Sequence, residues 1–374
     1  LDKTNFEVNF FNYKKNNNIN TQLKIDGYYE YDKNLYLNNL SILENKNKIR
    51  LSNLILNKSS SIINVDFIEF DYLDNENKLN KYSIQRIKKN NYDLIGLNLN
   101  ANTLITNLLK GNNKKINNIF QNNFIININL DEVSLDEVNY ISNLKGNLFI
   151  KENSVADANL SALFDNNQNI SFTINTDVDN SKITTLYSSR AKPLVKRYKF
   201  IKGFDEGYLD FYSSKKDDIS KSKLTIYDFK LKELPVLTKI LTLASLQGIA
   251  DILSGEGIRF DEFEMNFKNK RNLMTIDEIY AIGPAISVLM TGYVEQDKLI
   301  SLRGTLVPAT TINKSISSIP VLGKILVGDK TGEGVFGVSF KIKGPPNNLE
   351  TTVNPIKTLT PRFITRTIEK IKKN

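Results

Sequence analysis

The stretch that decides the fold is NISFTINTDV, residues 169–178. Apolar side chains recur at Ile170, Phe172, Ile174 and Val178, and polar side chains occupy most of the positions between them. Because successive side chains of a β-strand point to opposite faces, a period of two indicates a strand. The stretch therefore predicts a half-buried strand that has one face on an apolar interior and the other in water.

The same alternation recurs along the chain, at intervals of about 10 to 15 residues separated by Asn, Asp, Gly and Lys. Three further examples are TQLKIDGYYEY at 21–31, AISVLMTGYV at 285–294 and VFGVSFKIKG at 335–344. The last of these places Phe336, Val338 and Phe340 on one face. Regular alternation with short polar connections is typical of antiparallel hairpins. The sequence therefore predicts a mainly β protein with one extended antiparallel sheet.

Helical periodicity is confined to a few short amphipathic segments. Residues 103–123 and the tail 361–374 are two candidates. The clearest is 233–257, where Pro235 suits a first turn and two glycines end the pattern. Its apolar stripe includes Leu237, Ile240, Leu241 and Leu253, and we expect this stripe to pack on the sheet.

Composition argues against most catalytic chemistry. The 374 residues contain no Cys, and no His or Trp either, so thiol nucleophiles, imidazole bases and the commonest metal ligands are missing. We therefore predict no enzyme activity, no cofactor and no metal site. The net charge is +9, but basic residues are scattered among acidic ones, and roughly 50 Asn point to compositional bias. No nucleic-acid partner is predicted, because such proteins cluster their basic residues on one face.

Two motifs resemble functional sites but fit structural roles better. LDEVSLDEVNY at 130–140 pairs Asp with Glu twice, but an extended strand spreads these carboxylates apart and the stretch has no glycine-shaped calcium loop. LVGDKTGEGVFG at 326–337 contains Lys330 and Thr331, but the next residues enter a strand, whereas a phosphate loop enters a helix. We interpret the first motif as solvated turns and the second as a hairpin.

The ends of the chain add an expectation about the parent protein. The sequence begins at Leu1 rather than Met, without a signal-peptide pattern and without ~18 uninterrupted apolar residues. We expect an N-terminal portion to precede it.

The C-terminal region carries a distinctive pattern over about 60 residues, from GTLVPATTIN to the VNP and PRF segments. Its positions are Gly304, Thr305, Leu306, Pro308, Asn313, Ile319, Pro320, Gly323, Leu326, Gly334, Gly337, Gly344, Val353, Asn354, Pro355 and Pro361. Over this stretch the chain closely resembles the AsmA-like envelope proteins, in particular their YhdP-like branch. Before residue 200, the shared feature is only the alternation of apolar and polar residues.

The resemblance implies a fold and a location. AsmA-like proteins are anchored in the inner membrane by an N-terminal helix and cross the periplasm as a long curved β-sheet with an apolar concave face. By this resemblance, residues 1–200 form an extended groove segment and residues 201–374 close the sheet. By the same resemblance, an N-terminal anchor outside this sequence would attach the parent protein to the inner membrane, phospholipids would be its ligands, and an outer-membrane protein would be a partner.

Two classes of function follow from these observations. The first is a non-enzymatic phospholipid conduit, in which acyl chains lie in an open apolar groove. The second is an envelope assembly or scaffold protein, in which the sheet interior is filled by the protein's own side chains. Alternation does not distinguish an open groove from a filled core. The groove candidates are Ile170, Phe172, Ile174, Leu237, Leu241, Phe336, Val338 and Phe340.

Overall fold

Strands make up most of the computed structural model, which describes residues 3–8, 12–15, 18–109, 122–152, 154–197, 203–232, 235–243, 255–308 and 337–356. In these ranges the chain forms 22 strands and three short α-helices, so the predicted mainly β class is confirmed. The chain divides into two compact units, Leu1–Tyr187 and Ser188–Asn374. The predicted division after residue 200 rests on the family resemblance and stays a prediction.

The first unit holds fourteen described strands and helix α1. The strands are β1 (Phe6–Val8), β2 (Tyr13–Lys15), β3 (Thr21–Tyr29), β4 (Asn34–Glu44), β5 (Asn47–Asn57), β6 (Ile62–Asn64), β7 (Phe67–Leu73), β8 (Leu79–Lys88), β9 (Asn91–Asn100), β10 (Phe124–Ser134), β11 (Tyr140–Lys151), β12 (Ser154–Leu163), β13 (Asn169–Thr176) and β14 (Lys182–Ser188). Helix α1 spans Asn102–Leu109, and a 3₁₀ turn spans Asp165–Asn167. Strands β1 and β2 form a separate hairpin, and β3 to β14 follow one another in a sheet.

The second unit holds eight described strands and two helices. The strands are β15 (Phe204–Lys216), β16 (Ile219–Leu231), β17 (Ile258–Lys270), β18 (Leu273–Ile282), β19 (Ile286–Glu295), β20 (Leu299–Pro308), β21 (Gly337–Gly344) and β22 (Glu350–Ile356). They pair antiparallel in sequence order. Helix α2 spans Lys192–Val195 beside β15, and helix α3 spans Pro235–Leu243 beside β22.

The predicted antiparallel sheet is mixed, because one pair of its described strands is parallel. Strands β9 and β10 are parallel, with Leu94 opposite Ile128 and Leu99 opposite Val133. Parallel neighbours need a long crossover connection, since a tight turn reverses the chain direction. Residues 101–123 are that connection, and they include the predicted helix that begins at Asn102. The predicted helix between two alternating segments was therefore the sequence signal that β9 and β10 pair in parallel.

Helix α3 buries the stripe that the sequence predicted. Leu237, Ile240 and Leu241 are all buried, Leu241 completely, whereas Leu243 is 51% exposed. The helix follows β16 and reaches β22. Its buried stripe therefore packs beside β22 of the second unit's sheet. Leu253, the tail 361–374 and most of the Gly-rich hairpin lie outside the described residues.

One glycine of the second unit leaves space for large side chains on the neighbouring strands. Gly304 of β20 pairs with Phe340 of β21. A Cβ at Gly304 would approach Phe340 Cζ to 2.7 Å and Met290 Cγ to 2.6 Å, so the two side chains use the space that the missing methyl leaves. The aromatic ring thus compensates for the lack of a side chain at position 304.

Candidate functional site

One row of mostly apolar residues runs across ten strands of the first unit at matched register positions. We call it the central row. In strand order its members are Ile25, Leu40, Leu51, Ile68, Ile84, Leu94, Ile128, Gly146, Leu160 and Phe172. Nine spacings of about 4.8 Å give the row a length on the order of 43 Å. The alternation in each strand is therefore in phase with that of its neighbours.

The opposite face of the same strands is polar. The neighbouring register positions, from β3 to β13, hold Asp26, Asn39, Ser52, Phe67, Gln85, Asp93, Asn127, Asn147, Asn159 and Thr173. We call this the polar row, and Phe67 is its one apolar member. Amide side chains bond along it: Asn127 Nδ2 donates to Asp93 Oδ1 over 2.7 Å. At these register positions the two faces of the sheet thus differ in polarity, while Ile95 and Ile125 are exposed apolar residues elsewhere on the same face as the polar row.

The central row is only half-buried. Ile25 is 58% exposed, and the other nine members have intermediate burial. A filled core of this length would bury most of its central members, because close-packed interiors leave few voids. The burial pattern therefore leaves an apolar surface that is partly accessible along the row.

One end of this apolar face is closed by packed side chains. The adjacent row includes Ile49, Phe70, Tyr82 and Leu130, all of which are buried. Tyr13 of the β1–β2 hairpin joins the same cluster, meets Tyr72 edge-on with ring centroids 5.5 Å apart, and donates its hydroxyl hydrogen to the Glu44 carboxylate. Partly buried Ile105 of α1 packs against the cluster as well.

Burial also alters the ionisation of two tyrosines in this closed end. The pKa of Tyr82 lies well above its ordinary value because the side chain is buried, and because its hydroxyl bonds to Tyr72. Burial likewise raises the pKa of Tyr72, with the nearby Asp74 carboxylate adding to the effect. Both phenols therefore stay neutral well above pH 10 and behave as members of an apolar core.

A charged pair lies toward the other end of the apolar face. Arg86 follows Tyr82 and Ile84 in the same phase of β8 and sits opposite Tyr92 of β9. Its Nη2 lies 2.7 Å from Asp66 Oδ1, and its Nη1 donates to Asn64 Oδ1 over 2.7 Å. Sequence analysis missed this pair. The available signal was a charged residue in the apolar phase of an alternating strand.

The three groove candidates of β13 occupy successive rows of the first unit. Ile170 packs against the closed core, Phe172 ends the central row, and Ile174 pairs with the buried Ala158. The expectation for Val178 was wrong: this residue follows the end of β13 and is 99% exposed. An alternating pattern does not reveal where a strand stops.

The described candidates of the second unit have a different environment. Leu237, Leu241, Val338 and Phe340 are all buried, at 7% exposure or less. Val338 belongs to a row across seven strands whose other members are Leu209, Ile226, Phe263, Ala281, Val288 and Leu306. Only Phe263 of that row has intermediate burial. Phe336 lies outside the described residues.

The acidic residues of the described ranges are spread apart. Within these ranges no three Asp or Glu side chains lie close enough together to hold a metal ion. Asp131 and Glu132 of the LDEV repeat are exposed, and Asp136 accepts backbone hydrogen bonds from Val138 and Asn139 in a turn. None of the helices in the described part of the chain is long and apolar enough to cross a membrane.

Comparison with known proteins gave no relative: no family, no curated protein and no solved structure matches the chain.

Proposed function

We propose that the first unit binds acyl chains along the central row, and that the chain is part of a non-enzymatic phospholipid conduit between the inner and outer membranes. The periplasmic location, the inner-membrane anchor on the parent protein and an outer-membrane partner belong to this proposal through the AsmA-like resemblance. The observation that carries it is the half-buried central row, in register across ten strands.

The energetics of such a face suit a lipid chain. Each methylene group that leaves water for an apolar surface contributes about 0.8 kcal/mol. Ile, Leu and Phe side chains supply that surface without any specific contact, so a chain can bind at several positions along the row. Exchange between equivalent positions is what a conduit requires.

The charged end of the face is suited to a head group. Arg86 and Asp66 are partly exposed, with 35% and 30% of their side chains accessible. A phospholipid head group that carries both charges can bond to a guanidinium and a carboxylate placed side by side. Acyl chains on the central row would then leave the head group beside this pair.

The scaffold alternative also has an observation in its favour. The Val338 row of the second unit is buried by the protein's own side chains, and Leu237 and Leu241 of α3, which lies beside β22, are buried as well. If the first unit binds no lipid, the whole chain functions as a scaffold with filled interiors. The two functions therefore differ in whether the central row binds a lipid chain.

A pair of lysine substitutions on β10 tests the proposal. Ile128 lies in the central row, and its neighbour Asn127 is exposed in the polar row. Ile128→Lys places a charge on the acyl path and should weaken binding of a fluorescent acyl-chain phospholipid by about tenfold, which corresponds to 1.4 kcal/mol. Asn127→Lys adds the same charge on the other face and should bind like the original protein.

Titration of the fluorescent phospholipid into each folded variant measures the difference, with circular dichroism confirming the strand content. Equal affinities in the two variants, or no saturable binding by the unaltered chain, would contradict the conduit and favour the scaffold.

A further inference from the structure

The polar face of the second unit carries a short row of cations and hydroxyls. Thr291, Arg303, Lys341 and Thr352 lie opposite one another on β19, β20, β21 and β22. Arg303 and Lys341 are therefore direct cross-strand neighbours, and both are exposed. Like charges in directly opposite positions destabilise a sheet unless a counter-charge lies nearby.

Neither cation forms an ion pair with a carboxylate in the described part of the chain. Other basic residues of the second unit's sheet do form ion pairs there: Lys223 with Glu264, Lys268 with Asp277, and Arg259 with Glu206. Arg303 instead donates from Nε to Thr291 Oγ1 over 3.5 Å. This weak bond aligns the side chain along the row and leaves its terminal nitrogens for another partner.

The row lines a depression of about 400 Å³ in the surface of β19 to β22. The parallel row beside it supplies Leu289, Thr305, Ser339 and Asn354. The lining thus combines two permanent cations, several hydroxyl groups and one amide with Leu289, Met290, Gly304 and Phe340. Glu350 of β22 lies toward one side of the depression. It is opposite Lys343, and not opposite Arg303 or Lys341.

We propose that this depression binds a phosphate ester. A tetrahedral oxyanion presents oxygens in several directions, which suits an Arg fork, a Lys ammonium and flanking Thr hydroxyls better than a planar carboxylate does. The volume exceeds that of a phosphate group alone, so a small esterified group is accommodated beside Leu289. A soluble phosphate ester and a phospholipid head group share this chemistry. The site lies on a different unit from the central row and does not depend on acyl binding there.

Binding to the full chain tests the proposal with three probes: inorganic phosphate, glycerol 3-phosphate, and vesicles with or without phosphatidylglycerol. Arg303→Gln and Lys341→Gln should each weaken binding by about tenfold, because each removes charge-assisted hydrogen bonds. Lys268→Gln is the matched control, since Lys268 is a comparable exposed cation that Asp277 already neutralises at 2.9 Å. Its affinity should equal that of the unaltered protein.

The probes also distinguish the two sources of phosphate. Saturable binding of glycerol 3-phosphate without vesicle binding assigns the site to soluble esters, and binding of phosphatidylglycerol vesicles alone assigns it to a head group. Both results support the proposal if the two variants lose binding and Lys268→Gln does not. Absence of binding to every probe, or equal binding by all three variants, would overturn it.

Discussion

Individual Asn residues explain how so polar a sequence maintains a regular sheet. Eighteen described residues other than glycine have positive φ, and ten of them are Asn. Asn tolerates the left-handed region because its short amide bonds to the local backbone. Asn45 and Asn180 lie in turns, whereas Asn53 and Asn143 lie within strands, and Asn143 coincides with a register shift between β11 and β12. The Asn excess therefore has a structural use beyond compositional bias.

Tyr82 provides a prediction at the residue scale. The folded state raises the pKa of its phenol through burial and through its bond to Tyr72. Above pH 10 the unfolded chain loses the proton while the folded chain retains it, so stability is complete below pH 10 and declines as pH rises further. Each such tyrosine lowers the free energy of unfolding by up to about 1.4 kcal/mol per pH unit.

Tyr82→Phe should reduce that slope, as measured by urea unfolding between pH 9 and pH 11.5. Tyr31→Phe serves as the control, because Tyr31 is 89% exposed and its removal should leave the slope unchanged. An identical slope in Tyr82→Phe and the unaltered protein would show that the phenol is not buried as described.

The type of most elements was predictable, but their pairing was not. The alternation of Ile170, Phe172 and Ile174 anticipated β13, and helical spacing anticipated α3 and the start of α1. The parallel pairing of β9 with β10 was missed because strand direction depends on the connection, which local periodicity does not describe. The Arg86–Asp66 pair was missed because alternation treats a charged residue in the apolar phase as noise.

Helix α3 allows a matched test at the element scale. Leu241 is completely buried, whereas Leu243, two residues further on, is 51% exposed. Leu241→Asp buries an unpaired charge and should lower the free energy of unfolding by several kcal/mol, on the order of 3 to 5. Leu243→Asp makes the same chemical change in water and should cost about 1 kcal/mol or less. Thermal melts of the two variants measure the difference. Similar melting temperatures would mean that α3 does not cover the sheet.

At the scale of the whole molecule, one sequence pattern produces two kinds of interior. In the second unit, the described members of the Val338 row are mostly buried, and so are Leu237, Ile240 and Leu241 of α3. In the first unit, the described elements that cover the apolar face, the β1–β2 hairpin and α1, lie at one end of it, and the central row is half-buried. The alternating pattern predicts an apolar face in each unit equally well. It could not predict which of these two apolar faces is covered by other elements, because the covering elements are distant in sequence.

Photo-crosslinking at Phe172 tests the central claim most directly. A benzophenone amino acid at position 172 of the full chain lies on the central row, and one at Asn159, which pairs with Thr173, lies on the exposed polar row of the neighbouring strand. A third at Phe340 reports on the filled core of the second unit, where the side chain is 3% exposed. After irradiation with phospholipid vesicles and mass spectrometry, acyl-chain binding predicts lipid adducts at Phe172 and few or none at Asn159 and Phe340. Adducts at Asn159 without adducts at Phe172, or no adducts at any position, would contradict it.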